Sequence, residues 1–440
     1  MRAVTGLFWL GLYLAVAVVP LVFALLGPAP RGRDFWTDFS VGLGFVGLAM
    51  LGLQFAVVAR SRAVAAPYGI DVVIQFHRQI SWVATAFVLA HPAILVATDP
   101  ATAALLNPVG APWRARAGVL AVVALLALIA LTVWKKRLGL RYEWWRLTHG
   151  VLATVVVVAA LAHIYLVGHY VDTLWKQGLW AATSLAFVGL LVWTRVVRPF
   201  RVLRRPWVVD DVVPEGNDVT TVRLRPDGHD GLRFRAGQFA WLTLGGTPYQ
   251  LEEHPYSFSS SADSPDGSVA FTVKAVGDGS GEVARTEVGA RAYVDGPYGV
   301  FTTERHEGPH VVLVAGGIGI TPVMSILRTL ADRGDRRPVL LVYANPSADE
   351  VIFRDELQEL QQRLDLTVVH VLDDPPEGWT GETGLVDADL LRRHLPPHTS
   401  RGHVFVCGPD PMMDAVHEAL VGPLGVPSER VVMERFAFVD

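Results

Sequence analysis

The 440-residue chain carries 38 Lys+Arg against 42 Asp+Glu, for a net charge of −4, and contains a single cysteine. One cysteine excludes an intrachain disulfide and a cysteine-ligated iron–sulfur cluster. The charge is unevenly divided: residues 1–205 hold 19 basic and 6 acidic side chains, leaving 19 and 36 for the rest, so the two parts carry +13 and −17. Anionic lipid headgroups account for the basic part, and no nucleic-acid partner is called for.

Up to about residue 200 the chain is a series of apolar runs near 20 residues long, the length that crosses a bilayer as helix. Six spans are expected, at 5–26, 36–59, 73–97, 115–134, 147–168 and 175–197. Arg2 ahead of an apolar stretch also fits a signal peptide. The stretch is long and lacks a clear small-residue cleavage site, so it reads as a retained span. Basic residues gather at Arg60, Arg62 and Arg78, at Lys135, Lys136, Arg137, Arg141 and Arg146, and at Arg195, Arg198, Arg201, Arg204 and Arg205. The positive-inside rule makes those faces cytoplasmic, which puts both termini in the cytoplasm and the protein in a plasma or inner membrane.

The third span carries His77 and His91, and the fifth carries His149 and His163, each pair 14 residues apart. Fourteen residues rise about 21 Å and return to within about 40° of the starting azimuth. The two spans run in the same direction, so His77 comes level with His149 and His91 with His163. A single buried histidine has an interhelical hydrogen bond as its ordinary explanation. Two stacked facing pairs instead match the axial ligation of haem iron between helices, and predict two b-type haems with these four residues as metal ligands. His169 falls outside the pattern and reads as a loop residue. Trp144 and Trp145 suit an interfacial belt, and Arg78 and Arg146 suit either haem propionates or membrane anchoring.

Beyond the spans, TVRLR, QFAWLTL, VAFTVKAV and ARAYVDG alternate apolar and polar residues between turns, as in a small antiparallel barrel. It contains His254, Pro255, Tyr256, Ser257, Phe258 and Ser259, a grouping of aromatic, hydroxyl and imidazole that suits a flavin and its phosphates. Val273 and Lys274 follow, then Gly277, Asp278, Gly279 and Ser280, whose N–H groups could turn to a pyrophosphate or make an ordinary turn. The strand VVLVAGG leads into Gly316, Gly317, Gly319, Thr321 and Pro322 and an apolar-periodic helix, a strand–turn–helix that admits a phosphate to the helix start. Strands LLVYA, LTVVHVL and HVFVCG alternate with helices near 353–364, 387–394 and 411–421, a parallel-sheet nucleotide domain. Cys407, Gly408 and Pro409 end one strand, where Cys407 reads equally as structural or as bordering a ligand. Glu434, Phe436 and Phe438 follow the last strand, where a plain edge strand is the alternative.

With these pieces in order, the chain resembles the ferric reductase-like transmembrane/NADPH oxidase family over nearly all its length. The resemblance rests on the two His-x13-His pairs, HPYSFSS, VKAVGDGS, DGPYG at 295–299, GGIGITP, CGP and the terminal ERF. It implies a multidomain membrane protein: an all-α six-helix bis-haem bundle over 1–200, an antiparallel β-barrel FAD domain over 201–304, and an α/β parallel-sheet NAD(P)H domain over 305–440. FAD would be bound by HPYSFSS, with Tyr256 and Ser257 against the isoalloxazine and His254 near the phosphates. NAD(P)H pyrophosphate would lie on GGIGITP, Cys407 and Glu434 would border the nicotinamide, and Phe436 would cover the flavin until displaced. The implied activity is electron transfer from NAD(P)H through FAD and haem to O2, giving superoxide. A ferric chelate, or a periplasmic protein that the chain does not itself require, is the alternative acceptor. Superoxide-producing relatives often carry a further histidine one turn past the outer ligand of the third span, where this chain has Leu95. No arginine follows Tyr343-Ala344-Asn345-Pro346-Ser347 to meet a 2′-phosphate; Arg354 is a distant candidate, and Ser347 offers a hydroxyl. No EF-hand calcium loop is present.

Overall fold

The computed structural model describes residues 2–26, 34–59, 69–250, 254–306 and 308–435. They form two compact units, Met1–Arg198 and Pro199–Asp440.

Among the described residues the regular structure of the first unit is all helix. Its six long helices are α1 (Arg2–Leu25), α2 (Phe35–Val57), α3 (Ile70–Thr98), α4 (Trp113–Val133), α5 (Tyr142–Val167) and α6 (Leu174–Val192). All six are long and apolar enough to cross a membrane. Their outward surface is apolar: Leu174 is 87% exposed, Leu185 70% and Trp113 74%, which only a lipid surround makes favourable. Asp34 starts α2 by accepting the Thr37 backbone N–H at 3.0 Å. Gly168, at φ +71°, ends α5 in the left-handed conformation.

Small residues on α2 let its neighbours close in. A Cβ on Gly47 would lie 2.8 Å from a Val88 methyl of α3, and one on Gly52 would lie 2.2 Å from the Phe187 ring of α6. Helix association in lipid depends on such close approach, because apolar burial against apolar lipid drives little.

The second unit holds two six-stranded sheets. The first contains β1 (Trp207–Gly216), β2 (Val219–Pro226), β3 (Phe239–Leu244), β4 (His254–Ser257), β5 (Val269–Lys274) and β6 (Arg291–Tyr298), in the order β4-β3-β6-β1-β2-β5, all antiparallel. It closes into a barrel where the chain after β4 meets β5: Phe258 bridges Phe271, and the Ser259 N–H donates to the Ala270 carbonyl at 2.8 Å. Trp207, Leu224, Phe258, Phe271 and Ala292 fill the interior.

The second sheet contains β7 (Val311–Gly316), β8 (Val339–Ser347), β9 (Leu366–Asp374), β10 (Glu382–Thr383), β11 (His403–Cys407) and β12 (Val431–Glu434), in the order β10-β9-β8-β7-β11-β12 and wholly parallel. Central β7 is buried along its whole length, as a strand covered on both faces must be. On one face lie α7 (Ile320–Asp332) and α8 (Arg354–Arg363), and on the other α9 (Ala388–His394) and α10 (Asp410–Val421). The chain builds outward from β7 through β8 and β9, then returns to β11 on the other side. The switch point between β7 and β11 is where such a sheet opens a crevice at its strand ends.

Candidate functional sites

The first candidate site lies in the helical unit. The rings of His77 and His149 are 6.4 Å apart between centroids, and those of His91 and His163 are also 6.4 Å apart. Two imidazoles bound end-on to one metal from opposite sides, at metal–nitrogen distances of about 2.0–2.1 Å, place their centroids about 6.4 Å apart. The ring planes are inclined at 64° and 60°, an angle such ligation leaves free. Among the described residues no group of three or more His, Cys, Asp or Glu side chains could hold a metal ion. Each site therefore offers two imidazoles and would suit an ion whose remaining ligands come from a macrocycle.

The outer edges of the rings are occupied. His77 Nδ1 lies 2.6 Å from Gln54 Oε1, and His163 Nδ1 lies 2.6 Å from the Arg114 carbonyl. Both oxygens only accept, so Nδ1 carries the proton in each ring and Nε2 keeps its lone pair. The Gln54 amide cannot be reversed, because its Nε2 donates to the Met50 carbonyl at 3.3 Å as well as to Tyr13 Oη at 3.2 Å. His149 Nδ1 is 3.3 Å from Thr132 Oγ1, which also receives the Trp145 indole N–H at 3.3 Å. His91 Nδ1 is buried beside the Ser40 backbone and makes no hydrogen bond of good geometry among the described residues. Glycines make room for the outer rings: Cβ atoms on Gly44 and Gly118 would lie 3.4 Å from His91 and 3.0 Å from His163. The arrangement fits haem.

Sequence reading found the four histidines and missed their supports. Gln54 is 7% exposed, and its signal was a lone amide inside an apolar span. Trp144 and Trp145 part company: Trp144 is 58% exposed, whereas the Trp145 ring lies 5.3 Å from that of His149. Arg195 was passed over in favour of Arg78 and Arg146, yet its guanidinium lies 2.8 Å from where a Cβ on Gly150 would be, one residue past His149. His169 lies beyond the end of α5, with its ring against Tyr170.

The second candidate site is the crevice of the second unit. Gly316, Gly317 and Gly319 turn the chain from β7 into α7, and Gly317 has φ +50° with open space around its Cβ position. Across the switch point the Cys407-Gly408-Pro409 turn lies against them. A Cβ on Gly319 would meet the Cys407 carbonyl oxygen at 2.3 Å, and one on Gly316 the Met412 sulfur at 2.6 Å. Thr321 and Pro322 are buried in the first turn of α7, where the Thr321 hydroxyl donates to the Ile318 carbonyl. Cys407 is fully buried and pairs in register with Glu434. Burial, and then the Glu434 charge, push its thiol well above the ordinary range. A Cβ on Gly299 would come 3.4 Å from Glu434 Oε2, so the end of β12 reaches the barrel loop. Phe436 and Phe438 lie outside the described residues.

In the barrel, β4 presents His254, Pro255, Tyr256 and Ser257. Ser257 is 3% exposed and its hydroxyl has no partner among the described residues, a buried polar group that a flavin ring would satisfy. Burial and the Glu282 charge push the Tyr256 hydroxyl up to about 12. His254 and Tyr256 line a shallow depression with Leu242, Gln250 and Glu282.

Five residues grouped with the cofactor by sequence are turned elsewhere. The Phe258 ring stacks on Phe234 at 4.1 Å inside the barrel core, so hydrophobic packing sets it. The Ser259 hydroxyl accepts from Thr272 Oγ1 at 2.9 Å, and its carbonyl receives Arg328. Lys274 is paired with Glu350 at 2.8 Å. Ser280 Oγ accepts the Val276 and Gly277 N–H groups at 2.9 and 3.0 Å, so those donors are spent within the turn that holds Gly279 rather than offered to a phosphate. Val273 is buried on β5, and its side chain packs in the barrel.

Comparisons with known proteins agree with the two-part reading. Residues 43–160 match a family described as ferric reductase like transmembrane component, and residues 313–418 match an oxidoreductase NAD-binding domain. An NADH-cytochrome b5 reductase 1 of Emericella nidulans is 31% identical over 288 residues, covering 61% of this chain and 91% of that protein. One from Cryptococcus neoformans is 36% identical over 155 residues, covering 33% of this chain, which spans about half (52%) of that relative. Among solved structures, the flavohaem-like FAD/NAD binding domain of a nitric oxide dioxygenase from Vibrio cholerae aligns with 52% of this chain and 98% of its own, at 27% identity and a TM-score of 0.46. The protein is a multi-pass membrane oxidoreductase with a nicotinamide- and flavin-binding reductase module. Its helical bundle carries the ferric reductase-like transmembrane component, and the second unit behind it carries the oxidoreductase NAD-binding domain.

Proposed function

We propose that the protein takes electrons from cytoplasmic NAD(P)H and delivers them across the membrane to O2 on the opposite face, giving superoxide. The observation that carries this reading is the stacking of four histidines into two pairs, each with centroids 6.4 Å apart, in a chain that also contains a dinucleotide crevice. When bound, FAD turns a two-electron hydride into single electrons, and two b-type haems supply one-electron steps between the faces.

The chain's own part is to hold, orient and exclude. His77 and His149 would hold the inner haem, and His91 and His163 the outer one, with Gln54, Thr132 and the Arg114 carbonyl fixing ring orientation. Tyr256 and Ser257 would seat the flavin, with His254 near its phosphates. The turn at Gly316, Gly317 and Gly319, with the Gly408-Pro409 turn beside it, would let a pyrophosphate approach the backbone at the start of α7. Cys407 and Glu434 would border the nicotinamide end, and Phe436 would cover the flavin. The names of the relatives join a nicotinamide donor to a haem protein, and here the bundle takes the place of that acceptor. The haem domain would span 1–200, the FAD domain 201–304 and the nucleotide domain 305–440, in a plasma or inner membrane with both termini cytoplasmic.

Leu95, one turn past His91 on α3, favours a second reading: a ferric chelate, or a periplasmic redox protein, as acceptor. Proteoliposomes given NAD(P)H only on the cytoplasmic face separate the two. Oxygen consumption matched by a dismutase-sensitive superoxide signal on the other face supports the first. Ferric reduction that is insensitive to dismutase and to oxygen removal supports the second. His91→Ala is expected to abolish the outer haem's absorbance, and a spectrum with both haems intact would overturn the ligand assignment.

A further inference from the structure

The sheet order assigns the two halves of a dinucleotide to opposite sides of the glycine turn. With its pyrophosphate at the end of β7 and its nicotinamide toward β11 and β12, its adenosine ribose falls at the ends of β8 and β9. Those ends lie level, Ser347 opposite Asp374. They carry Ser347, Asp349, Glu350, Asp373 and Asp374, and two cations stand nearby. Lys274 Nζ is paired with Glu350 at 2.8 Å, and exposed Arg354 gives Nη2 to the Ala348 carbonyl at 2.8 Å, so three unpaired carboxylates stand against one cation that forms no ion pair among the described residues. Asp349, Asp373 and Asp374 are exposed, and no ion pair is formed by their carboxylates among the described residues. Two residues inside this rim, Asn345 is 5% exposed, its side chain lies beside the Tyr343 hydroxyl, and among the described residues its amide makes no hydrogen bond of good geometry.

This is the chemistry of a ribose carrying free hydroxyls. A carboxylate at the end of the strand after the glycine turn accepts from a 2′-hydroxyl, whereas a 2′-phosphate asks for an unengaged arginine. A phosphate ester adds a charge of about −1.5 to −2, which the three unpaired carboxylates repel. We propose that the donor is NADH rather than NADPH, with Ser347, Asp349 and Asp374 setting that choice at the adenosine ribose. The inference rests on the reading of the β7–β8 crevice as the nucleotide site.

The test uses the full-length protein in nanodiscs, with two readouts: anaerobic flavin reduction by NADH and by NADPH, and calorimetric binding of NAD+ and NADP+. NADH is expected to lead in kcat/KM by at least about tenfold, with NAD+ the tighter ligand. The double variant Asp349→Arg with Asp374→Arg, both at exposed positions, should shrink that ratio about tenfold, mainly by lowering KM for NADPH. Asp374→Asn should move it part of the way and serves if the double variant loses its flavin. Equal use of the two nucleotides, a preference for NADPH, or a ratio unmoved by both variants overturns the inference. Tighter NAD+ binding without flavin reduction by either nucleotide would keep it while removing the electron-transfer reading. Binding of neither nucleotide removes both.

Discussion

Replacing Gln54 by leucine removes the 2.6 Å acceptor on His77 Nδ1 while keeping an apolar side chain of similar size in a helix already 7% exposed at that point. A proton held toward Gln54 makes the imidazole a stronger donor to a metal at Nε2 and favours the oxidised iron. A hydrogen bond of this kind has a net value of about 0.5–1.5 kcal/mol. For a one-electron couple, where about 59 mV corresponds to a tenfold change, that becomes a rise of roughly 20–60 mV in the midpoint potential of the haem proposed at His77 and His149. Potentiometric titration followed by visible absorbance would read it, with the second haem, proposed at His91 and His163, as the internal reference. Gln54→Glu restores an acceptor and should move the inner potential back down, past the native value. Two unchanged midpoints, or two that move together, would refute the argument that Gln54 acts through His77.

The crevice and the barrel yield further expectations. Gly319→Ala puts a methyl 2.3 Å from the Cys407 carbonyl oxygen and 2.8 Å from the Gly408 nitrogen, backbone atoms that cannot yield cheaply. Thermal unfolding should show a loss of about 1–3 kcal/mol, and native-like stability would mean the two turns are not packed as described. Ser257→Ala should leave the flavin-free protein as stable as before, since the hydroxyl has no partner there, but weaken FAD binding by about tenfold, as titration would measure. Undiminished affinity would take Ser257 out of the flavin site. Arg333 bonds Asp263 at 2.6 Å and Glu304 at 2.7 Å, and holds the Asp263 carboxyl below its ordinary 3.8. Arg333→Ala should cost about 1 kcal/mol, an exposed-pair value. A depressed carboxylate lends stability above its unfolded pKa and loses it as pH falls through the lower folded value, so the gap between native and variant should close as pH drops below about 3.8. A gap constant with pH would assign the loss to packing. Cys407, fully buried with its thiol pushed up, should resist alkylation at neutral pH in the folded protein and react at once on unfolding.

The parts of this protein that were legible in the sequence are those written as periodic patterns along one chain segment. Six apolar runs gave six helices, α5 in the structure running from Tyr142 to Val167 against an expected 147–168. The strand–glycine–helix stretch at Gly316 became β7 and α7, because glycine conformations and helix starts are set locally. The four histidines were legible for the same reason: equal spacing on two parallel helices puts them level whatever else the fold does. HPYSFSS misled in its second half. Phe258 and Ser259 continue the motif in sequence, but Phe258 is claimed by Phe234 and Phe271, and Ser259 by Thr272 and Arg328, all distant in the chain. Arg354, a distant candidate for a phosphate by sequence, gives one of its guanidinium donors to the Ala348 carbonyl. Such contacts depend on which elements meet, and no pattern within one segment encodes them.

The same distinction separates the two histidine pairs, which the sequence presents as equivalent. His163 is held by the main-chain carbonyl of Arg114, a partner that every residue at position 114 would supply. His77 is held by the side chain of Gln54, which is itself oriented by Tyr13 and by the Met50 carbonyl. Substitution can therefore retune the inner pair through its support without touching a ligand, while the outer pair's support at His163 is written into the backbone. In the proposed electron path, the step from flavin to bundle is the one whose driving force a single side-chain change would adjust. The Gln54 variants should thus alter the rate of flavin reoxidation while leaving the rate of flavin reduction by nucleotide as it was. Stopped-flow traces in which both rates shift together would place Gln54's influence on the fold rather than on the inner ligand.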